Sequence, residues 1–200
     1  MKKRFYISAL LSTVLLATTL CAENNTTVQT EKISVTYVQN AQIAAKGVAQ
    51  AKGLIGAIKP ALMAAMKKDK TGVEGTVMCS EAAQEMTANY NKTLPAGSKV
   101  RRTALKYRNP ENKPDATDLA VMEHIVADGN FSKPAVVDMG ESFRVYKALP
   151  THKPCLVCHG DKEKMPAKMK EILEKKYPTD LATGFKEHDF RGVIISEIKK

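Results

Sequence analysis

The segment Cys155-Leu156-Val157-Cys158-His159 restricts the fold of this 200-residue chain more than any other part of it. Two thiols separated by two residues can each form a thioether bond with one vinyl group of a haem, and the histidine that follows can coordinate the iron. Redox dithiols and zinc sites also use the Cys-x-x-Cys spacing, so the adjacent His159 makes the pattern specific. The motif therefore predicts one covalently attached c-type haem, with Cys155 and Cys158 bound to the porphyrin and His159 bound to the iron.

The first 22 residues have the pattern of an export signal. Lys2, Lys3 and Arg4 precede a nearly uncharged apolar run over 5–20, and Ala22 is a small residue suited to the position before a cleavage site. The run is shorter than the roughly 20 residues that a membrane-spanning helix needs, so a cleaved signal is favoured over an anchor. A lipid anchor at Cys21 is less favoured, because Leu20 stands where a small residue is expected. These residues predict a periplasmic protein.

The rest of the chain is expected to form one domain over 33–200, after a polar and disordered lead-in over 23–32. About 178 residues are enough for one hydrophobic core but leave little room for two. No second run is long and apolar enough to span a bilayer. The formal net charge of the chain is +10, which in the cytoplasm would suggest nucleic acid. Export excludes that class, and an acidic redox or signalling protein in the periplasm, anionic lipid head groups or a merely solvated basic surface stay open.

The hydrophobic pattern predicts an α+β fold. Helical periodicity covers 35–59, with a restart over 61–68 after Pro60, and then 73–91, 115–128 and 167–176. Alternating apolar residues predict strands over 100–107, 135–139, 142–149 and 190–198. The second and third strands are expected to form a hairpin at Gly140-Glu141. Short connections of this kind favour an antiparallel sheet, with helices before it and between its strands.

Several segments together resemble a known family, the PAS-like c-type haem domain. The matching segments are Arg102-Thr103-Ala104-Leu105-Lys106-Tyr107-Arg108-Asn109-Pro110-Glu111-Asn112-Lys113-Pro114-Asp115, the Cys-x-x-Cys-His-Gly motif ending at Gly160, Asp189-Phe190-Arg191-Gly192, and a helical cysteine at Cys79. Members occur alone as exported proteins or as the sensor half of membrane histidine kinases. The resemblance implies a PAS-like antiparallel sheet flanked by helices, with long N-terminal helices. This chain has Thr117 and Asp118 where the family usually has Trp and Glu, and His188 where it has Gly.

The second axial ligand of the iron is not fixed by the residues alone. Candidates other than Cys79 are the remaining histidines and four methionines: His124, His152, His188, Met78, Met86, Met122 and Met139. Methionines at helical spacing are more often core residues, and His188 is the reserve candidate. Cys79 is the one cysteine left outside the haem motif once the signal is removed, and it suits either a buried thiol or a ligand. The resemblance implies that Cys79 binds the iron as a thiolate.

A cluster of basic residues precedes and enters the Asn/Pro-rich segment. Arg102, Lys106 and Arg108 are predicted to pair with the haem propionates, since guanidinium groups match carboxylates in shape and charge. A solvated strand edge is an equally good interpretation of the same residues.

The motifs favour a haem-based redox or gas sensor that acts by exchange of the sixth iron ligand, with a small gas as a possible ligand. A soluble periplasmic electron-transfer cytochrome is the alternative, and it predicts the same ligands in both redox states. A peroxidase needs an open distal site with an acid–base group, which no motif supplies, so no enzymatic activity is expected. A metal-free thiol redox module would require that no haem is attached.

Overall fold

The computed structural model describes residues 34–200. The predicted signal peptide, the lead-in and Cys21 lie outside the described residues. The helices are α1 (Ala41–Lys68), α2 (Val73–Glu81), α3 (Ala83–Asn91), α4 (Ala116–Asp128), α5 (Leu156–His159) and α6 (Ala167–Lys176). The strands are β1 (Ser98–Thr103), β2 (Ala135–Asp138), β3 (Ser142–Pro150) and β4 (Phe190–Lys199). Over residues 34–200, none of these helices combines the length and the hydropathy needed to cross a membrane.

The four strands form one sheet in the order β1-β4-β3-β2, and every neighbouring pair is antiparallel. β2 and β3 form the predicted hairpin, which turns at Gly140 with φ of +81°, a left-handed conformation that favours glycine. Helices precede the sheet and lie between its strands. This arrangement confirms the predicted α+β class with an antiparallel sheet.

Helices cover both faces of the sheet, and β4 shows this most clearly. Ile194 packs in a cluster with Leu54 of α1, whereas its neighbour Ile195 packs in a cluster with Val121 and Ile125 of α4. Successive side chains of a strand point to opposite faces, so α1 and α4 lie on opposite sides of the sheet. The hydrophobic core therefore consists of two layers with the sheet between them.

Helix α1 differs from its prediction at both ends. It begins at Ala41, because Thr36 and Val38 instead form backbone hydrogen bonds with β2 and the Asn40 side chain accepts a hydrogen bond from Ile43 N. The predicted restart after Pro60 is wrong, since one helix runs through that residue to Lys68. A proline removes one backbone donor, and the packing of α1 over the sheet outweighs that loss.

Two further boundaries also differ from the predictions. The predicted helix over 73–91 is divided at Ala82 into α2 and α3. β1 ends at Thr103 rather than at residue 107, at the point where Gly192 of β4 comes so close that an added Cβ would lie 2.5 Å from Thr103 O. The chain leaves the sheet at that point, and the following residues, including Tyr107 and Arg108, turn toward the end of the sheet where the haem motif lies.

Two residues that depart from the family pattern have clear structural roles. His188 adopts φ of +73°, a conformation that glycine takes without strain, which is consistent with a glycine at this position elsewhere in the family. Asp118 is completely buried, at 0% exposure, and its carboxylate accepts hydrogen bonds from Arg101 at 2.5 Å, Tyr146 at 3.0 Å and Arg144 at 3.2 Å. It also closes a capping box at the start of α4.

We expect Asp118→Asn to lower the free energy of unfolding by about 2 kcal/mol, because the variant removes the buried charged acceptor and leaves Arg101 and Arg144 only their more exposed carboxylate partners. Urea denaturation followed by circular dichroism measures the change. Asp138→Asn is the matched control: Asp138 pairs with Lys200 on the surface, where solvent screens the ion pair and the loss should be much smaller. Equal losses in the two variants would contradict a special role for the buried Asp118 cluster.

Candidate functional site

The predicted haem motif lies where the chain leaves β3. A short turn over Lys153–Cys155, with Pro154 inside it, leads into α5, which carries Cys158 and His159. The ring of His159 donates a hydrogen bond from Nδ1 to Ala182 O at 2.8 Å, since a carbonyl oxygen can only accept. Its Nε2 is then the unprotonated nitrogen of the neutral ring. Burial lowers the pKa of His159 well below its usual value, with further repulsion from Arg191 and Arg108. His159 is therefore held as the neutral tautomer that binds metals.

A cavity of about 260 Å³ collects the predicted iron ligands from distant parts of the chain. α2 contributes Cys79 to its wall, and α5 contributes Cys158 and His159. The two helices are in contact, since Thr76 donates a hydrogen bond to Cys158 Sγ at 3.6 Å. The fold therefore brings Cys79 to the same space as a histidine that is 80 residues later in the sequence.

The Cys79 side chain is accessible to solvent although it lies in the wall of the cavity. The surrounding walls still remove water from it, and this burial raises the pKa of the thiol, while the positive charge of Arg102 acts in the opposite direction. Burial likewise raises the pKa of Cys158, opposed by its hydrogen bond with Thr76. Both thiols are therefore weaker acids than a solvated cysteine, and a bound metal would favour their thiolate form.

Three arginines line the same cavity: Arg102, Arg108 and Arg191. Of these three arginines, only Arg108 has a carboxylate partner within residues 34–200, Asp180 at 3.0 Å. Arg102 donates to Gln84 Oε1 at 2.8 Å, while its buried Nε finds no partner in the described part of the chain. Burial lowers the pKa of Arg102, and burial with repulsion from Arg108 lowers the pKa of Arg191 to about 10. The cavity thus has positive charge that an anionic ligand would neutralise.

The other predicted site residues lie outside the cavity wall. Lys106 donates from Nζ to Thr183 O and lies 4.6 Å from the centre of the Phe185 ring. Cys155 Sγ accepts a hydrogen bond from His152 N at 3.5 Å. None of the alternative sixth ligands lines the cavity either, among the residues that the structure describes: His124, His152, His188, Met78, Met86, Met122 and Met139. Among these candidates, Cys79 is thus the one that lines the same cavity as His159.

Arg191 is a cavity residue that the sequence analysis did not assign to the site. Its segment, Asp189-Phe190-Arg191-Gly192, contributed to the family resemblance, and that was the available signal. In the structure Arg191 lies at the start of β4, and its Nη1 donates to Lys106 O at 3.2 Å. Its guanidinium carbon also lies 5.2 Å from the centre of the Phe185 ring. These contacts hold the guanidinium in place at the cavity wall.

The chemistry of the lining fits a haem better than a bare metal ion. Within residues 34–200, no cluster of three or more His, Cys, Asp and Glu side chains is arranged to hold an ion. A metal here must therefore bring most of its own ligands, as iron does in a porphyrin. Apolar residues in the wall, such as Ile58, Leu62 and Val193, suit a macrocycle, and the arginines suit its carboxylates.

Comparisons with known proteins also indicate a haem-binding domain. A family model described as Tll0287-like matches residues 15–198. The crystal structure of the cyanobacterial haem protein Tll0287 is similar to this chain, with a TM-score of 0.62 and 25% identity, over 81% of this chain and 98% of that chain. A search of curated proteins finds no match. Both matches are consistent with a PAS-like c-type haem domain, and they confirm the resemblance noted from the sequence.

Proposed function

The chain belongs to the Tll0287-like family, and we propose that it is a periplasmic monohaem c-type protein that senses redox state or a small gas through exchange of the sixth iron ligand. Its similarity to a haem protein supports a haem-binding, cytochrome-like domain. The observation that carries the proposal is that Cys79 and His159 line one cavity, although they come from separate elements.

Residues of the cavity wall and of the adjacent haem motif would then hold the haem. Cys155 and Cys158 would form the thioether bonds, and His159, through Nε2, and Cys79 would hold the iron. Arg102 and Arg191 carry the unpaired charge that suits the propionates. Arg108 was predicted for the same purpose, but its guanidinium is already engaged by Asp180 and by backbone carbonyls, and Lys106 lies outside the cavity wall.

The position of Cys79 on α2 suggests how a signal would leave the site. The bound haem would supply an iron whose affinity for a sixth ligand depends on its redox state. Release of Cys79 from that iron would allow α2 to shift against α1 and α6, on which it packs. The shift would reach a separate signalling or redox partner, for which the basic surface favours an acidic protein.

An electron carrier with unchanged ligands is the alternative, and one contact favours it. At the start of α2, an added Cβ on Gly72 would lie 2.4 Å from a Val157 side-chain carbon, so the first turn of α2 is packed tightly onto the haem motif. Such packing leaves this end of α2 little room to move. We propose no enzymatic activity, because the residues that line the described cavity include no carboxylate and no second histidine to act as an acid or base.

Carbon monoxide separates the two functions. We expect the dithionite-reduced protein to bind carbon monoxide with a saturable change in the visible spectrum, because ligand exchange opens one axial position. The ferric protein under the same gas is the control and should not change. A reduced protein that stays six-coordinate and ignores carbon monoxide would contradict sensing by exchange and favour the electron carrier.

A further inference from the structure

Arg108 joins three distant parts of the chain around His159. Its Nε donates to Asp180 Oδ2 at 3.0 Å, and its Nη2 donates to Cys158 O at 2.7 Å and to Ala182 O at 3.2 Å. One guanidinium therefore connects the loop after β1, the haem motif and the segment before β4. The planar fork of arginine suits this use, because its donors have a fixed relative geometry.

Ala182 is the residue through which these contacts reach the histidine. Its carbonyl accepts the hydrogen bond from His159 Nδ1 at 2.8 Å. Its own backbone N donates to Asp180 Oδ1, also at 2.8 Å. The two oxygens of Asp180 thus hold Arg108 on one side and the Ala182 peptide on the other. Ala182 is completely buried, so water does not replace these partners.

The Arg108–Asp180 pair is itself shielded from solvent, with both side chains only 12% exposed. Ion pairs on the surface are mobile and screened, but a pair that is this enclosed keeps its geometry and is costly to break. Two backbone bonds add to the order of the segment: Phe185 N donates to His159 O at 3.0 Å, and Gly184 N donates to Gly160 O at 2.7 Å. The acceptor of the His159 hydrogen bond is therefore fixed from several directions.

We propose that Arg108 and Asp180 are a positioning pair that fixes the Ala182 carbonyl and thereby the orientation and tautomer of His159. This inference rests on the proposed function, since it concerns His159 as the proximal ligand. When a ligating histidine donates a hydrogen bond from the ring nitrogen that does not bind the metal, here Nδ1, the other nitrogen becomes a stronger electron donor to the metal. A firmly held carbonyl would thus favour the ferric state, and the pair would set the reduction potential without touching the haem.

Arg108→Lys tests the pair without a change in formal charge. Lysine keeps the positive charge but lacks the fork that reaches Asp180 and both carbonyls together. We expect the variant to retain covalent haem. The ferric–ferrous equilibrium should shift about tenfold toward ferrous, which is equivalent to ~59 mV for one electron. The iron–histidine stretching frequency should fall. Redox titration and resonance Raman spectroscopy in a Cys79→Ala background measure the two effects.

Arg144→Lys is the matched control, because Arg144 is also a partly buried arginine with carboxylate partners but does not line the cavity. It should lower stability and leave both haem readouts unchanged. Equal shifts in the two variants, or wild-type values in Arg108→Lys, would overturn the inference.

A second variant keeps the proposal open to test if Arg108→Lys does not attach haem. Asp180→Asn retains an oxygen for Ala182 N but cannot accept from Arg108 with its amide nitrogen, so the iron–histidine frequency should fall there as well. If both variants lose the haem while Arg144→Lys keeps it, the pair is structural and the inference is wrong. A wild-type protein that carries no haem would instead refute the proposed function, and the inference with it.

Discussion

Replacement of both Cys155 and Cys158 by alanine should yield a protein that keeps no bound haem after denaturation. Covalent attachment requires the two thiols, and no other cysteine in the described chain lies within the motif. His159 alone would hold haem by a coordinate bond, which denaturation releases. Intact mass and the pyridine haemochrome spectrum of the denatured protein measure the loss, which we expect to be complete.

Leu156→Ala is the matched control, since it alters the same four-residue helix and leaves both sulfurs in place. It should retain covalent haem. Haem that stays bound in the denatured double variant would show that attachment does not use these thiols. If the wild-type protein carries no haem, a metal-free thiol redox module becomes the leading hypothesis for the function.

The sequence predicted those parts of the fold that depend on local pattern. The alternation in β2 and β3, with Gly140 between them, identified the hairpin, and α6 begins and ends where its periodicity does. The boundaries that were wrong depend on distant partners. β1 ends early, beside the point where Gly192, nearly 90 residues later, approaches Thr103, and no local pattern at β1 contains information about that partner.

The site divides in the same way. Spacing alone predicted Cys158 and His159 as haem-site residues, and the fold places both in the wall of one cavity. Cys79 depended on the family resemblance, since nothing in its own helix indicates what it faces. The roles of the arginines followed from tertiary contacts: Arg108 is bound by Asp180, and Arg191 enters the cavity from β4. The residue type suggested an anionic partner, but only the fold shows which guanidinium groups have no carboxylate partner within residues 34–200.

Cys79→Ala should change the ferric visible spectrum from a low-spin thiolate type and raise the reduction potential. A thiolate adds a negative charge beside the iron and stabilises the ferric state, and alanine removes both the charge and the bond. The rise in reduction potential should be large because the thiolate charge lies at the metal, in a cavity whose other ionised side chains are cationic. Absorption spectra of the ferric and the dithionite-reduced protein, with a redox titration, measure both changes.

Ser80→Ala is the control, since Ser80 is the next residue of the same helix and bonds only to Val77 O; its spectrum should match the wild type. If Cys79→Ala also matches the wild type, Cys79 is a packing residue and another side chain, with His188 or a methionine first, must be tested as the ligand. If the ferric spectra differ but the reduced spectra coincide, Cys79 leaves on reduction, as exchange requires. Spectra that differ in both states mean that the sulfur stays bound, and electron transfer with fixed ligands then becomes the better account.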